Sequence, residues 1–304
     1  MFAGTPDFAL QSLLALHKAA YVPAAVLTQP DRPAGRGRKV TESPVKQFAG
    51  EHDVPVWQPE TLKDADIVAQ IAAAEPELMV VTAYGLLLPQ AVLDIPHRGC
   101  VNVHASLLPR WRGAAPIQAA ILEGDAATGV TLMQMESGLD SGPILATAAT
   151  DIGPDESAGA LQDRLAVMGG ELLVEKIADI LEGKIEANPQ DDTLATYAGK
   201  IRKEDAVIDW NLGAAQISRM IRAYDPAPGA SFDLDGEMIK CWQAAAIEAV
   251  EGPPGTIVTA GKDGVIVTCG VGALRLTEVQ RPGRRRITAA EFAGQKNLRG
   301  KRLI

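Results

Sequence analysis

The sequence is poor in cysteine and contains no long apolar run. Its three cysteines, Cys100, Cys241 and Cys269, lie far apart. A disulfide framework needs paired cysteines and a zinc site needs closely spaced ligands, so neither is expected. No apolar run reaches the roughly 18 residues that a membrane-spanning helix needs, and the first residues do not resemble a secretory signal peptide. We therefore expect a protein of the reducing cytoplasm.

An excess of positive charge is also missing. The formal net charge is −9, which argues against a general nucleic-acid-binding protein. The basic residues are nevertheless concentrated in two places, with four in residues 31–39 and eight in residues 278–304. Such an asymmetry is expected when one face of an acidic protein contacts a polyanion, although a solvated charged tail would show it too.

The chain is long enough for two globular domains, with 304 residues of which 47% are hydrophobic and 22% charged. Short apolar strands alternate with helical patterns through the first part, which predicts a parallel α/β sheet with right-handed crossovers. From Ala230 onward, about five short strands predict a small OB-type barrel. We expect a Rossmann-like domain over residues 1–189, a linker over 190–209 and an OB-like β-barrel domain over 210–304.

The dinucleotide signature Gly-x-Gly-x-x-Gly is absent after the first strand, where the sequence is Gly4-Thr-Pro-Asp7. A nicotinamide-dependent dehydrogenase would need that turn, so this class is disfavoured. Thr5 or Asp7 is instead expected to cap the first helix. Further along, a helical pattern covers residues 157–181, and Gly169-Gly170 within it is expected to kink or break the helix.

The stretch Val101–Leu145 contains polar residues that a buried sheet does not explain. Val-Asn-Val-His alternates as a strand, so Asn102 and His104 lie on one face. A second apolar run leads to a glycine-rich loop with Asp140, and ligands of α/β sheets bind outside strand ends. An amide, an imidazole and a carboxylate at neighbouring strand ends suit acyl or formyl transfer. A lone histidine on a strand, however, is more often a structural residue.

Three parts of this stretch resemble the formyltransferase family that uses 10-formyltetrahydrofolate. They are Asn102-x-His104, the segment Ser106-Leu-Leu-Pro109-x-x-Arg112-Gly113, and the Asp140 loop. The resemblance implies that Asn102, His104 and Asp140 are catalytic, that 10-formyltetrahydrofolate is the co-substrate and that no metal takes part. It also implies folate contacts by Ser106, Leu107, Leu108, Pro109, Tyr84, Leu86 and Gly138. Without the resemblance, the apolar loop after Tyr84 would be taken for ordinary core.

Two further segments indicate the acceptor of the formyl group. Pro30–Lys39 resembles a loop inserted in the family members that formylate methionyl initiator tRNA, and Lys200–Asp205 resembles a segment of the same members. By resemblance, an arginine at position 36 helps to hold the tRNA acceptor stem. The residues expected to bind tRNA are Arg32, Arg36, Arg38, Lys39, Arg284, Arg285 and Arg286.

We therefore expect a monomeric enzyme whose partners are methionyl initiator tRNA and the folate co-substrate. One alternative is a formyltransferase for a small amine, such as a sugar nucleotide or glycinamide ribonucleotide, which would share the catalytic residues but not the basic loop and barrel. A non-catalytic RNA-binding module would explain the barrel, but it would leave Asn102, His104 and Asp140 without a role.

Overall fold

The computed structural model describes residues 1–34, 39–248, 250–294 and 297–304. The chain divides into two compact units. The first comprises Met1–Pro116, Ala127–Asp151 and Gln162–Ala198, and the second comprises Ile117–Ala126, Ile152–Leu161 and Gly199–Ile304. In the part of the chain that is described, no helix is long and apolar enough to cross a membrane.

Strands and helices alternate through most of the first 200 residues. In chain order they are β1 (Phe2–Gly4), α1 (Asp7–Lys18), β2 (Val26–Leu27), β3 (Arg32–Ala34), β4 (Lys39–Thr41), α2 (Pro44–Glu51), β5 (Val56–Trp57), α3 (Ala65–Ala73), β6 (Met79–Thr82), α4 (Gln90–Leu93), β7 (Cys100–His104), β8 (Arg112–Gly113), α5 (Pro116–Glu123), β9 (Ala127–Gln134), β10 (Ile144–Asp151), α6 (Ala158–Glu182) and β11 (Tyr197–Ala198). A short 3-10 helix, Asp192–Leu194, precedes β11.

The main sheet of the first unit has seven strands in the order β10-β9-β7-β6-β1-β2-β5. The five strands from β7 to β5 run parallel, which confirms the Rossmann-like fold class. β1 and β6 are buried along their whole length, as expected for a parallel sheet covered on both faces. β9 and β10 extend the sheet as antiparallel strands, so its β10 edge is not parallel.

Helix α6 runs from Ala158 to Glu182 as one element, so a break of the helix at Gly169-Gly170, one of the two predicted effects, is wrong. A Cβ atom at Gly169 would lie 2.8 Å from Cγ1 of Val103, and one at Gly170 would lie 2.9 Å from the carbonyl oxygen of Gln11. The two glycines therefore let α6 approach β7 and α1 closely. Close packing, and not helix termination, explains both residues.

The start of helix α1 also differs from the prediction. Pro6 is the N-cap residue, and no side chain caps the helix. The hydroxyl of Thr5 instead donates to the carbonyl oxygen of Tyr84 at 3.0 Å and accepts from the backbone N–H of Gln29 at 3.3 Å. Because these residues follow β1, β6 and β2, Thr5 joins three loops at the carboxyl edge of the parallel strands.

The second unit is built mainly on an antiparallel sheet. Its elements are α7 (Ala214–Ala223), β12 (Ser231–Leu234), β13 (Glu237–Ile247), β14 (Ile257–Gly261), β15 (Gly264–Thr268), β16 (Ala273–Gln280), β17 (Arg286–Thr288) and α8 (Ala289–Gly294), after a 3-10 helix at Glu204–Ala206. The strand order is β12-β13-β16-β15-β14, with β17 paired to β16.

Residues 300–304 lie between the two edge strands of this sheet. The N–H of Ile257 in β14 donates to the carbonyl oxygen of Lys301 at 2.9 Å. The N–H of Asp233 in β12 donates to the carbonyl oxygen of Ile304 at 2.7 Å. The side chain of Leu303 is buried. Covered edges of this kind are typical of small barrels. The OB-like second domain of the expected fold class is confirmed.

The three cysteines are buried and free. Burial raises the pKa of the Cys100 thiol to about 12 and that of Cys269 to about 11, and it also raises the pKa of Cys241. The thiolate is the nucleophilic form of cysteine, and a raised pKa suppresses it. These residues therefore act as core side chains.

Candidate active site

Strand β7 presents Asn102 and His104 on the same face. It lies between β6 and β9, and Asn102 is paired with Val81 on one side and Met133 on the other. His104 is buried, with 6% of its surface exposed, whereas Asn102 is partly exposed. Because buried polar groups are costly without hydrogen bonds, both side chains need partners within the fold.

The imidazole of His104 has a defined orientation. Its Nε2 lies 3.0 Å from the carbonyl oxygen of Trp111. A carbonyl oxygen only accepts hydrogen bonds, so Nε2 carries a hydrogen. In the neutral ring the lone pair is then on Nδ1, which lies 3.8 Å from Oδ2 of Asp140. Nδ1 is therefore the acceptor nitrogen of the neutral ring, and it faces the carboxylate of Asp140.

Asp140 lies between the other groups of the cluster. Its Oδ1 accepts from Nδ2 of Asn102 at 3.3 Å, and its Oδ2 accepts from the backbone N–H of Gly113 at 2.8 Å. The backbone of Asp140 is left-handed, with φ of 49°. The structure thus brings together the amide, imidazole and carboxylate that were expected to form a site.

The route by which Asp140 reaches the site differs from the expectation. β9 runs antiparallel to β7, and its last residue, Gln134, pairs with Val101 near the start of β7. The carboxyl ends of these two strands therefore point in opposite directions, so the predicted placement of the three groups at neighbouring strand ends is wrong. The loop instead folds back towards β9, where a Cβ atom at Gly142 would lie only 1.9 Å from the carbonyl oxygen of Gln134.

Hydrogen bonds of two buried hydroxyl groups hold the segment that follows β7. Ser106 is fully buried, and its hydroxyl donates to the carbonyl oxygen of Arg110 at 2.6 Å. The hydroxyl of Thr131 donates to the carbonyl oxygen of Ser106 at 2.7 Å and accepts from the N–H of Leu108 at 3.1 Å. Leu108 is buried, whereas Leu107 and Pro109 are partly exposed. Within this segment, Leu107 and Pro109 have the exposed surface for a folate contact.

The other expected folate residues lie in two separate loops. Tyr84 is 1% exposed and packs in the core of the first unit with Leu27 and Met79, and Leu86 packs against the same core. Burial raises the pKa of the Tyr84 phenol. The carbonyl oxygen of Tyr84 accepts from Thr5 and from Nε2 of Gln29 at 3.2 Å. Gly138 is exposed in the Asp140 loop.

One side chain that contacts the Asp140 loop, that of Gln190, was not predicted from the sequence. Nε2 of Gln190 donates to the carbonyl oxygens of Asp140 at 2.9 Å and Gly142 at 2.7 Å. Gln190 lies in an extended, polar segment after α6, where no periodic pattern distinguishes it from its neighbours. The only available signal was a long polar side chain in a segment without regular structure, and such a signal is weak.

The basic residues of the first unit are only partly described. Arg32 is exposed in β3, which forms a two-stranded hairpin with β4. Lys39 is the first residue of β4. Arg36 and Arg38, which were expected to bind tRNA, lie outside the described residues.

The three consecutive arginines of the second unit have different environments. Arg284 is exposed, and Arg285 is 74% exposed and pairs with Glu291 at 2.9 Å. Arg286 pairs with Asp225 at 2.8 Å and with Glu278 at 3.5 Å, and its guanidinium lies 3.8 Å from the ring centroid of Trp242. Arg286 is therefore held by the domain itself.

Family models match both parts of the chain. Residues 1–177 match the model described as formyl transferase, and residues 200–297 match the model described as formyl transferase, C-terminal domain. The chain belongs to the formyl transferase family, and the membership expected from the sequence is confirmed.

Similar curated proteins carry a more specific name, methionyl-tRNA formyltransferase. The protein of that name from Pseudomonas entomophila (strain L48) is 52% identical over 306 residues, which cover 98% of this chain and 98% of the relative. The one from Methylococcus capsulatus (strain ATCC 33009 / NCIMB 11132 / Bath) is 50% identical over 304 residues, which cover 100% of this chain and 98% of the relative.

Solved structures share the fold at lower identity. The sugar 3N-formyl transferase WlaRD superposes with a TM-score of 0.67 at 17% identity. The match covers 93% of this chain and 97% of the WlaRD chain. HypX from Aquifex aeolicus, solved in complex with tetrahydrofolic acid, gives a TM-score of 0.60 at 20% identity. The match covers 84% of this chain and 45% of the HypX chain. At these identities the likeness concerns the fold alone.

Proposed function

We propose that this chain transfers the formyl group of 10-formyltetrahydrofolate to the α-amine of the methionine on initiator tRNA. The observation that carries the proposal is the cluster of Asn102, His104 and Asp140 in a chain about half identical to proteins named methionyl-tRNA formyltransferase, 52% in one of them. The product, formylmethionyl-tRNA, starts translation. The enzyme acts in the cytoplasm as a monomer, and the reaction uses no metal.

The reaction is a direct transfer between two nitrogen atoms. The amine nitrogen bonds to the formyl carbon, the bond from that carbon to N10 of the folate breaks, the amine loses a proton and N10 gains one. Negative charge develops on the formyl oxygen during the attack. Preorganised donors at such an oxygen are worth roughly 2.7–4 kcal/mol each in other enzymes.

The three residues of the cluster have separate roles in this scheme. Asn102 donates an N–H to the formyl oxygen. Nδ1 of His104 receives the amine proton, and as an imidazolium the ring also stabilises the charged oxygen. Asp140 holds the amide of Asn102 through Oδ1 and lies beside the imidazole through Oδ2, so it orients both groups.

Substrate contacts complete the proposal. The folate is held by the loops of Tyr84 and Leu86, of Ser106, Leu107, Leu108 and Pro109, and of Gly138. The tRNA is held by the basic segment with Arg32, Arg36, Arg38 and Lys39 and by Arg284 and Arg285, while Arg286 supports the second domain. Residues 1–189 form the catalytic domain, 190–209 the linker and 210–304 the tRNA-binding domain.

The test compares five acceptors in one formyl-transfer assay with 10-formyltetrahydrofolate. These are methionine-charged initiator tRNA, charged elongator tRNA, free methionine and glycinamide ribonucleotide, with a dTDP-amino sugar as a further small amine. We expect turnover confined to the charged initiator tRNA. Faster transfer to a small amine would instead identify a small-molecule formyltransferase, and no transfer to any acceptor would remove the proposed activity.

A further inference from the structure

The side chain of Gln190 contacts two parts of the candidate site at once. Its Nε2 donates to the carbonyl oxygens of Asp140 and Gly142, and its Oε1 accepts from Nε of Arg112 at 3.0 Å. The guanidinium only donates and the two carbonyls only accept, so the network admits one orientation of the amide. Gln190 thus links the Asp140 loop to the segment after β7 although 50 residues separate it from Asp140.

Arg112, which donates to Gln190, is itself held in one position. It is 3% exposed, and its Nη2 donates to Oδ1 of Asp192 at 2.7 Å. A planar guanidinium held on both sides has little freedom to rotate. The amide of Gln190 is therefore anchored on the Arg112 side and aims both of its donors at the loop.

The residues after Gln190 hold the backbone of residues 111–114, which contacts His104 and Asp140. The hydroxyl of Thr196 accepts from the N–H of Trp111 at 2.9 Å, and the N–H of Ala114 donates to the carbonyl oxygen of Ala198 at 2.8 Å. Trp111 supplies the carbonyl that orients His104, and Gly113 supplies the N–H that Asp140 accepts. One short segment, residues 190–198, thus supports the partners of both His104 and Asp140.

We propose that Gln190 is a positioning residue of the formyl-transfer site. It holds the backbone of the Asp140 loop so that the carboxylate stays between Nδ2 of Asn102, Nδ1 of His104 and the N–H of Gly113. The inference rests on the proposed function, because it assigns Gln190 to that reaction. It reaches the chemistry only through Asp140, and no contact of Gln190 with substrate is required.

Two substitutions separate the donors of Gln190 from its acceptor. Gln190→Leu removes both, whereas Gln190→Glu keeps an acceptor for Arg112 and replaces the two donors with an oxygen that repels the carbonyls. Misplacing a catalytic group by about 1 Å costs up to roughly 100-fold in rate. We expect kcat to fall about tenfold to 100-fold in both variants, with KM for folate and tRNA within about twofold of wild type.

The matched control is Gln47→Leu. Nε2 of Gln47 donates to the backbone carbonyl oxygen of Glu42 on the surface of the first unit, so this variant also loses an amide-to-carbonyl hydrogen bond. We expect its kcat to stay at the wild-type value. If Gln190→Glu has wild-type kcat while Gln190→Leu is impaired, the contact with Arg112 alone matters and the inference is overturned.

A double-variant cycle tests whether Gln190 acts through Asp140. In an Asp140→Asn background the carboxylate is already lost, so Gln190→Leu should lower kcat by less than about twofold further. Equal losses in the two backgrounds would overturn the proposal. Wild-type turnover is measured in the same assay, so failure of the proposed function is seen separately as absence of wild-type turnover.

A second readout does not depend on turnover. The N–H of Gly113 is bonded to Oδ2 of Asp140, so its hydrogen exchange reports the position of that carboxylate. We expect this amide to exchange at least about tenfold faster in Gln190→Leu than in wild type or Gln47→Leu. Unchanged exchange at Gly113 would overturn the inference even in a preparation without activity.

Discussion

The orientation of the Asn102 amide follows from its partner. Oδ1 of Asp140 is 3.3 Å from Nδ2 of Asn102, and a carboxylate only accepts, so the NH₂ group faces Asp140. One N–H of that group is used by the carboxylate and the second remains for another acceptor. A donor oriented in this way is fixed before substrate binds, which is what the proposed stabilisation of an oxyanion by Asn102 requires.

Asn102→Ala should lower kcat by about 100-fold to 1,000-fold, because removal of one oxyanion donor has that effect in other enzymes. The dissociation constant of the folate should stay within about twofold of wild type, because the donor acts on charge that develops only in the transition state. Single-turnover formyl transfer measures the first quantity and titration with folate the second. Asn188→Ala, a substitution of an exposed asparagine in the same unit, serves as the control. A near-normal kcat in Asn102→Ala would contradict the proposed role of Asn102 as oxyanion donor.

Local sequence rules predict three side chains that the structure brings together at the candidate site. The alternation of β7 places Asn102 and His104 on one face, and the glycine-rich loop after the next apolar run adds Asp140. The carbonyl of Trp111, the N–H of Gly113 and the side chain of Gln190 were not predicted. Arg112 and Gln190 are separated by 78 residues, so their hydrogen bond depends on how a distant extended segment folds onto the loop. No local pattern encodes such a contact.

Among the secondary-structure elements, the direction of strand β9 is a feature that its sequence pattern does not predict. The apolar pattern of residues 130–135 predicts a buried strand, and β9 is indeed buried over most of its length. The same pattern fits a parallel and an antiparallel neighbour equally well. Direction depends on the connection, and α5 with its short following loop returns the chain antiparallel to β7. The existence of the strand was predictable, whereas the direction of its carboxyl end was not.

The packing of α6 gives a prediction about helix stability. Gly170→Ala should lower the free energy of unfolding by about 1–3 kcal/mol, because the added methyl meets the backbone of α1. Gly50→Ala, in the exposed end of α2, has open space around its added methyl and should raise that free energy by roughly 0.5–1 kcal/mol. Urea denaturation midpoints measure both. Stabilisation of the protein by Gly170→Ala would contradict the packing explanation.

The net charge of the whole molecule is unfavourable for a polyanionic substrate. At −9 the chain repels tRNA on average, so productive binding requires local basic surface. Of the described arginines 284–286, the second is largely exposed and the third is occupied by two carboxylates and an indole ring. Their contributions to binding and to stability should therefore differ.

Arg285→Ala should weaken tRNA binding and reduce the slope of log Kd against log salt concentration by about one, as expected for one lost phosphate contact. Arg286→Ala should change that slope little and should instead lower the urea midpoint, because Asp225 and Trp242 lose their partner. Fluorescence titration of tRNA between low and physiological salt measures the slope. An unchanged slope in Arg285→Ala would exclude this residue from the tRNA surface.

The position of residues 300–304 between β12 and β14 has a consequence for synthesis of the protein. Both edge strands are synthesised before their last hydrogen-bond partners, because Asp233 bonds to Ile304 and Ile257 to Lys301. A nascent second unit therefore has two incompletely paired strand edges until residues 301–304 have been made and can fold, while segments made earlier are already able to fold. During that interval the edges are open to pairing with other chains.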